Sequence, residues 1–175
     1  MVSRRDFYRI GSVLLGGLTS LGLSIPVVAY LLDPLRRKGG SDTRQELARL
    51  SELKVGVPRS FSIIAEKTDA WVRYEKEPVG IVWLIRQAEG ASQPVVAFNA
   101  ECPHLGCPVS LNADGKSFIC HCHQAKFDVQ GKPSNAVPPR GLDTLEVELT
   151  EGDDPTVVVT FRRFRTQSKE KIPLV

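Results

Sequence analysis

The longest apolar run in this chain lies near its start. Residues 10–32 form a continuous stretch of about 23 residues without a charged side chain, and at about 1.5 Å per residue a helix of that length spans a hydrocarbon core of about 30 Å. We therefore predict a transmembrane helix. A buried core helix usually shows a polar face, and the apolar part of a cleaved signal sequence is normally only about 7 to 15 residues.

Further along the chain, short β-rich runs recur between turn signals. Residues 145–149 alternate apolar and polar side chains, as a half-buried strand requires, whereas residues 81–85 are all apolar and should lie deeper. We predict strands at residues 59–65, 70–74, 80–86, 95–98, 118–119, 145–149 and 156–161, after a short helical or turn segment around residues 45–53. The predicted fold class is mainly β, an antiparallel sandwich or barrel preceded by one transmembrane helix.

The same patterns divide the chain into five segments. Residues 1–9 precede the helix at 10–32, residues 33–44 form a polar linker, residues 45–165 form the domain, and residues 166–175 form a tail. Gly39 and Gly40 suit a hinge, but composition sets flexibility without showing that motion is used. The polar, basic C-terminus suits either a loose tail or a surface contact.

Composition narrows the function. The net charge of +3 is small and its clusters flank the apolar run, so we expect no nucleic-acid partner. Four cysteines are too few for a disulfide-rich scaffold in 175 residues, yet all four cysteines and all three histidines fall between positions 102 and 123. The candidate chemistry therefore lies in one short region.

These side chains form two ligand boxes, C-x-H and C-x-x-H, separated by about fifteen residues: Cys102 with His104, and Cys120 with His123. Each box holds one further cysteine, so the full pattern reads C-x-H-x-G-C followed by C-x-C-H. This pattern resembles the Rieske family, and within it the Rieske subunit of quinol-oxidising cytochrome bc or bf complexes. The resemblance extends to the anchor, the linker and the β domain with its cluster-binding subdomain.

The resemblance implies a Rieske 2Fe-2S cluster whose ligands are the four box residues. The thiolates of Cys102 and Cys120 would bind one iron and the imidazoles of His104 and His123 the other. It also implies a disulfide between Cys107 and Cys122 that braces the two loops. Each ligand histidine keeps a second nitrogen whose proton affinity depends on the cluster charge, which suits quinol as electron donor. By resemblance, His123 contacts the quinol hydroxyl, with His104 as the second exposed ligand.

Alternative sites share part of this pattern. Two cysteines and two histidines can bind zinc, but zinc does not account for the extra cysteine in each box. Soluble Rieske ferredoxins and oxygenases generally lack the disulfide pair and the anchor. The Rieske subunit of a molybdenum oxidase of arsenite-oxidase type stays open as an alternative. His121 stands where the family usually has proline, and we interpret it as non-ligating.

The N-terminus bears on localisation. Ser3-Arg4-Arg5-Asp6-Phe7 looks like a twin-arginine export signal, although an ordinary basic flank would look similar. Positive charge also follows the helix at residues 36–38, so charge alone does not set the orientation. If the cluster is inserted in the cytoplasm and Cys107 pairs with Cys122 in the finished protein, export of the folded domain followed by oxidation outside explains both features. We expect a bacterial cytoplasmic membrane protein with its N-terminus in the cytoplasm and its domain on the periplasmic side.

The segment after the second box departs from the family. The family typically has Gly-Ser-x-Tyr, whose hydroxyls donate to cluster and cysteine sulfurs, and this chain has Gln124-Ala125-Lys126-Phe127. Because Ala125 and Phe127 carry no hydroxyl, we predict a lowered reduction potential, which suits menaquinol better than ubiquinol. Residues 131–140 resemble the proline-rich loop that covers the cluster, or form an ordinary rigid turn.

The predicted function is that of a membrane-anchored electron-transfer subunit. It would take an electron from quinol, with release of a proton, and pass it to a c-type cytochrome. The expected partners are a cytochrome b-type subunit, a c-type cytochrome, quinol and membrane lipid, within a dimeric multi-subunit complex.

Overall fold

A computed structural model describes residues 3–36, 42–69 and 72–174 of the chain. The chain divides into two compact units, Met1–Gly39 and Gly40–Val175, which are described separately. The hinge candidates Gly39 and Gly40 lie outside the described residues.

The first unit is one α-helix, α1 (Arg4–Arg36). The Ser3 hydroxyl caps its first turn, since Ser3 Oγ accepts a hydrogen bond from the Asp6 amide at 3.2 Å and donates one to the Asp6 carboxylate at 2.6 Å. Within the apolar run, Thr19 Oγ1 donates to the Leu15 carbonyl at 2.9 Å, so this hydroxyl needs no partner outside the helix. The stretch Arg4–Asp33, with mean hydropathy 1.8, is long and apolar enough to cross a membrane.

The second unit contains nine strands in the described residues: β1 (Thr43–Arg49), β2 (Arg59–Asp69), β3 (Val72–Arg86), β4 (Val95–Asn99), β5 (Ser110–Leu111), β6 (Ser117–Cys120), β7 (Ala125–Asp128), β8 (Thr144–Leu149) and β9 (Thr156–Phe161). Six of them form an antiparallel sheet in the order β1-β9-β8-β4-β3-β2, and β5, β6 and β7 form a second antiparallel sheet. The mainly β fold predicted from the sequence is confirmed.

The large sheet curls towards closure. Its two edge strands are β1 and β2, and Gln45 Oε1 on β1 accepts a hydrogen bond from the Ile64 amide on β2 at 2.9 Å. The concave face buries aliphatic side chains from several strands, among them Ile63, Leu84, Val157 and Val159. The alternating apolar side chains of β8 face this core, as expected for a half-buried strand. In the apolar run of β3, Val82 and Leu84 face it as expected, whereas Ile81 is 42% exposed.

The small sheet has a core of its own, around Phe118 and Phe127. Trp83 of the large sheet packs on Phe118 with ring centroids 5.3 Å apart, and its Nε1 donates to the Val109 carbonyl at 3.0 Å. The small sheet therefore packs on the large one through aromatic contacts.

Two expectations about secondary structure were wrong. Residues 45–53, predicted as a helical or turn segment, form β1 and a single 3-10 turn at Leu50–Glu52, because an edge strand carries many polar side chains that hide its alternation. Residues 70–74 and 80–86, predicted as two strands, belong to the single strand β3 except for positions 70 and 71, which lie outside the described residues. Pro78 does not interrupt β3, since β4 pairs only with its residues 82–86.

Candidate functional site

The first ligand loop, residues 102–107, follows the large-sheet strand β4. The Cys102 amide donates to the Cys107 carbonyl, and the Gly106 amide donates to the Cys102 carbonyl, both at 2.8 Å. Gly106 has a φ of +79°, and a Cβ on it would meet the Glu101 carboxylate at 3.1 Å. Glycine in the C-x-H-x-G-C pattern thus permits a left-handed residue at a crowded turn.

The second ligand loop, residues 120–124, is the turn between β6 and β7. Cys120 ends β6 and pairs across the hairpin with Ala125, the first residue of β7. Gln124 adopts a φ of +58°, so the backbone keeps a left-handed conformation although glutamine replaces the usual glycine of the family. His121 and His123 are both exposed on this turn.

A disulfide between Cys107 and Cys122 joins the two loops. It spans a sequence separation of 15 residues, with Cα atoms 6.6 Å apart, and the pairing predicted from the resemblance is confirmed. The Cys120 sulfur lies within 4.8 Å of both disulfide sulfurs. These three sulfurs do not form a metal site, because disulfide sulfurs are not thiolates.

The free cysteines, Cys102 and Cys120, lie inside the domain, with 1% and 2% of their surface exposed. Burial, followed by the neighbouring Cys120, raises the pKa of the Cys102 thiol to about 11, while the amides of His104 and Leu105 donate to its sulfur and oppose this rise. A bound iron supplies the positive charge that a buried thiolate needs, so this dry pair with amide donors suits iron ligation.

The two box histidines meet at the surface of the domain. The His104 and His123 rings lie 4.8 Å apart between centroids, with their planes at 85°. His104 is half-buried and His123 is exposed. Two buried thiols and two adjacent imidazoles at the surface form the donor set that a Rieske cluster requires, with sulfur ligands on one iron and nitrogen ligands on the other.

The two positions without hydroxyls lie directly behind the second loop. Ala125 and Phe127 both point into the core with 0% of their surface exposed, and Phe127 pairs across the hairpin with Phe118. The surroundings of Phe127 are therefore apolar, and neither side chain can donate a hydrogen bond to a sulfur.

The proline-rich segment 131–140 packs along β7. The Ser134 amide donates to the Lys126 carbonyl at 2.8 Å. The Asn135 side chain donates to the Gln124 carbonyl at 2.7 Å and accepts from the Lys126 amide at 3.2 Å. It therefore bonds to the backbone on both sides of Ala125. Sequence reasoning missed Asn135, and the available signal was an amide side chain, able to donate and accept at once, in a loop next to a left-handed residue.

Comparison with known proteins gives a family match over most of the domain. The family model described as the Rieske [2Fe-2S] domain matches residues 43–146. The chain is 30% identical to the menaquinol:cytochrome c reductase iron-sulfur subunit of Bacillus subtilis (strain 168), over 86% of this chain and 89% of that protein. It is 27% identical to the cytochrome b6-f complex iron-sulfur subunit of Synechococcus elongatus, over 77% of this chain and 72% of that protein.

One solved structure is also similar in sequence to this chain. The plasma membrane Rieske protein of Synechocystis PCC 6803 is 31% identical, with a TM-score of 0.36, over 46% of this chain and 79% of that one.

Proposed function

The chain belongs to the Rieske 2Fe-2S domain family, and on that premise we propose that it is the electron-transfer subunit of a quinol:cytochrome c oxidoreductase. The observation that carries the proposal is the donor set, with two buried neighbouring thiols and two adjoining imidazoles, one of which is exposed. Such a site can hold a redox centre inside the domain and offer a nitrogen ligand to a partner outside it.

The cofactor is a Rieske 2Fe-2S cluster. We assign Cys102 and Cys120 as ligands of one iron and His104 and His123 as ligands of the other. When bound, the cluster takes up one electron at a time, at a potential raised by its imidazole ligands relative to clusters with four cysteines.

The chain's own residues would receive the quinol. The exposed His123 ring is the group that a quinol hydroxyl can reach, and its ring nitrogen that is not bound to iron accepts the hydrogen bond and then the proton. His104, half-buried beside it, is the second acceptor. The buried cysteines stay out of reach of substrate and keep water from the sulfur side of the site.

The chain carries a single-pass membrane anchor, α1. We propose that its N-terminus lies in the cytoplasm and its domain on the periplasmic side. The Arg4-Arg5 pair in the first turn of α1, ahead of its apolar stretch, supports folded export. The disulfide between Cys107 and Cys122 supports an oxidising destination.

We further propose menaquinol as the electron donor and a c-type cytochrome as the acceptor. The apolar Ala125 and Phe127 support a low potential, and the Bacillus subtilis relative is a menaquinol:cytochrome c reductase subunit by name. The working form would be a dimeric complex in the membrane that includes a cytochrome b-type subunit.

The test is to purify the complex from membranes through a tag on this chain. Copurified b- and c-type haem, together with reduction of cytochrome c by a menaquinol analogue, is the expected result. Copurified molybdenum without b-type haem would instead favour a relay subunit of a molybdenum oxidase. Matured protein that contains neither iron nor acid-labile sulfide would contradict the proposal as a whole.

A further inference from the structure

The C-terminal segment, residues 163–174, folds back on the domain, and we name it the C-terminal clip. Phe164 and Pro173 form an antiparallel bridge, the Arg165 amide donates to the Ile172 carbonyl at 2.8 Å, and the Leu174 amide donates to the Arg163 carbonyl at 2.9 Å. Of the two possibilities for the C-terminus, a loose tail or a surface contact, the structure shows a contact. The family model ends at residue 146, so it does not account for this segment.

A buried arginine holds the clip in place. Arg140 pairs with the Asp143 carboxylate at 2.6 Å, with 9% and 6% of the two side chains exposed. Its guanidinium also donates to the Ser168 carbonyl at 2.6 Å and to the Arg165 carbonyl at 2.9 Å. A buried ion pair needs its remaining donors satisfied, and here two carbonyls of the clip satisfy them.

The clip reaches the first ligand loop at the residue between its two ligand candidates. The Gln167 amide donates to the Pro103 carbonyl at 2.9 Å, and Pro103 is fully buried. Gln167 adopts a φ of +57°, a left-handed conformation that is costly for a residue with a Cβ and persists only where neighbouring contacts impose it. The Gln167 side chain itself is exposed, so the contact belongs to the backbone.

Two more contacts fix the clip against the same loop. Arg163 pairs with Glu101, the residue before Cys102, at 2.7 Å. Thr166 Cγ2 lies 3.7 Å from the place where a Cβ on Gly106 would stand. The crevice between Thr166, Pro103 and Cys102 has no room for a water molecule.

We propose that the C-terminal clip is a positioning element for Cys102 and His104, acting through the Gln167 amide on the Pro103 carbonyl. The inference rests on the assignment of these two residues as cluster ligands. The internal hydrogen bonds of the loop set its shape, and Arg140 anchors the clip to Asp143, the residue before β8. Loss of the contact with the clip should loosen Cys102 and His104 and leave the second loop in place.

The test uses the full chain, purified in detergent with its cluster. Gln167→Pro removes the amide donor and cannot adopt a positive φ, whereas the matched control Gln167→Gly keeps the donor and adopts that φ without strain. For Gln167→Pro we expect cluster loss to a chelator to be about tenfold faster, the fold-change that one lost hydrogen bond supports. We also expect faster hydrogen exchange in residues 101–107 and a broadened paramagnetic resonance spectrum of the reduced state. Gln167→Gly should match the parent in all three.

Two further variants separate positioning from stability. A chain that ends after Thr166 removes the donor without introducing proline, and it also removes the Ser168 carbonyl that Arg140 contacts. It should lose the cluster at least as fast as Gln167→Pro. Val157→Ala, in the large-sheet core, should lower the thermal midpoint without changing the spectrum or the rate of cluster loss.

Three results would overturn the proposal: parental spectra and rates in both disruptive variants, equal effects in Val157→Ala, or failure of both disruptive variants to fold, which would make the clip a folding element. If the parental protein itself showed no Rieske spectrum, the assignment of the cluster ligands would be wrong.

Discussion

The two ligand loops are supported in different ways. The second loop is a hairpin turn whose strands β6 and β7 are its immediate neighbours in sequence, and Asn135 reaches it from a segment only 11 residues away. The first loop is contacted by Gln167, far along the chain. Gln124 and Gln167 are the two residues other than glycine with positive φ in the described part of the chain. Each ligand loop is therefore associated with one glutamine of positive φ: Gln124 belongs to the second loop, and Gln167 contacts the first loop from a distant part of the chain.

The two loops therefore depend on different contacts: the second loop on contacts close in sequence, and the first loop on a contact with the C-terminus. The hairpin places Cys120 and His123 through contacts close in sequence, which form early and at small entropic cost. The first loop gains its hydrogen bond from the Gln167 amide only when the C-terminal clip is docked. The variants below break or sharpen this contrast, beginning with the largest expected effect.

Replacement of a proposed ligand histidine is the most severe test of the second loop. His123→Ala should abolish the Rieske spectrum, because the reducible iron loses an imidazole ligand that no other residue replaces. The matched control His121→Ala, two positions away on the same turn, should retain the cluster and its spectrum. Paramagnetic resonance and iron analysis of both proteins measure the outcome, and a retained spectrum in His123→Ala would refute the assignment.

Removal of the disulfide cuts the covalent link between the loops. The double variant Cys107→Ser, Cys122→Ser frees a loop with a sequence separation of 15 residues, and loop-closure entropy then predicts a loss of about 3 kcal/mol in the free energy of unfolding. Denaturant titration with and without reductant measures this, since reduction should affect the parent and leave the double variant unchanged. Reductant sensitivity in the double variant would show that the lost stability has another source.

Restored hydroxyls in the second loop and β7 test what sets the reduction potential of the cluster. Ala125→Ser and Phe127→Tyr should each raise the reduction potential, because a donor to a sulfur stabilises the more negative reduced state. If each new hydrogen bond contributes about 1 kcal/mol, the expected shift is on the order of 50 mV for a one-electron couple. Redox titration of the single and double variants gives the answer, and unchanged potentials would contradict the role assigned to these positions.

Much of this site was predictable because its signals are local. The ligand boxes, the disulfide partners and the apolar helix each lie within one short stretch, and the strands with clear apolar periodicity, such as β8 and β9, were predicted to within a residue. The small strands β5 and β7 were missed, since two and four residues are too few to show a period.

Other features depend on contacts between distant segments. The sequence of β1 is largely polar, which is common for an edge strand. Its strand conformation depends on pairing with β9, which is distant in sequence. The fold of the C-terminal clip could not be predicted from the sequence, because nothing near Gln167 in sequence indicates that its amide donates to the Pro103 carbonyl. The hydrogen-bonding role of Asn135 likewise appears only when the chain is folded.

The smallest expected effect concerns the strained residue of the second loop. Asn135→Ala removes two hydrogen bonds at exposed positions, and we expect a loss of about 1 kcal/mol in the free energy of unfolding. If Asn135 serves to hold Gln124 in its left-handed conformation, the same change should cost less in a Gln124→Gly background, because glycine adopts positive φ unaided. A double-mutant cycle by denaturant titration measures this coupling. Strict additivity would mean that Asn135 supports β7 alone, and the second loop would then owe its shape to the hairpin and the disulfide.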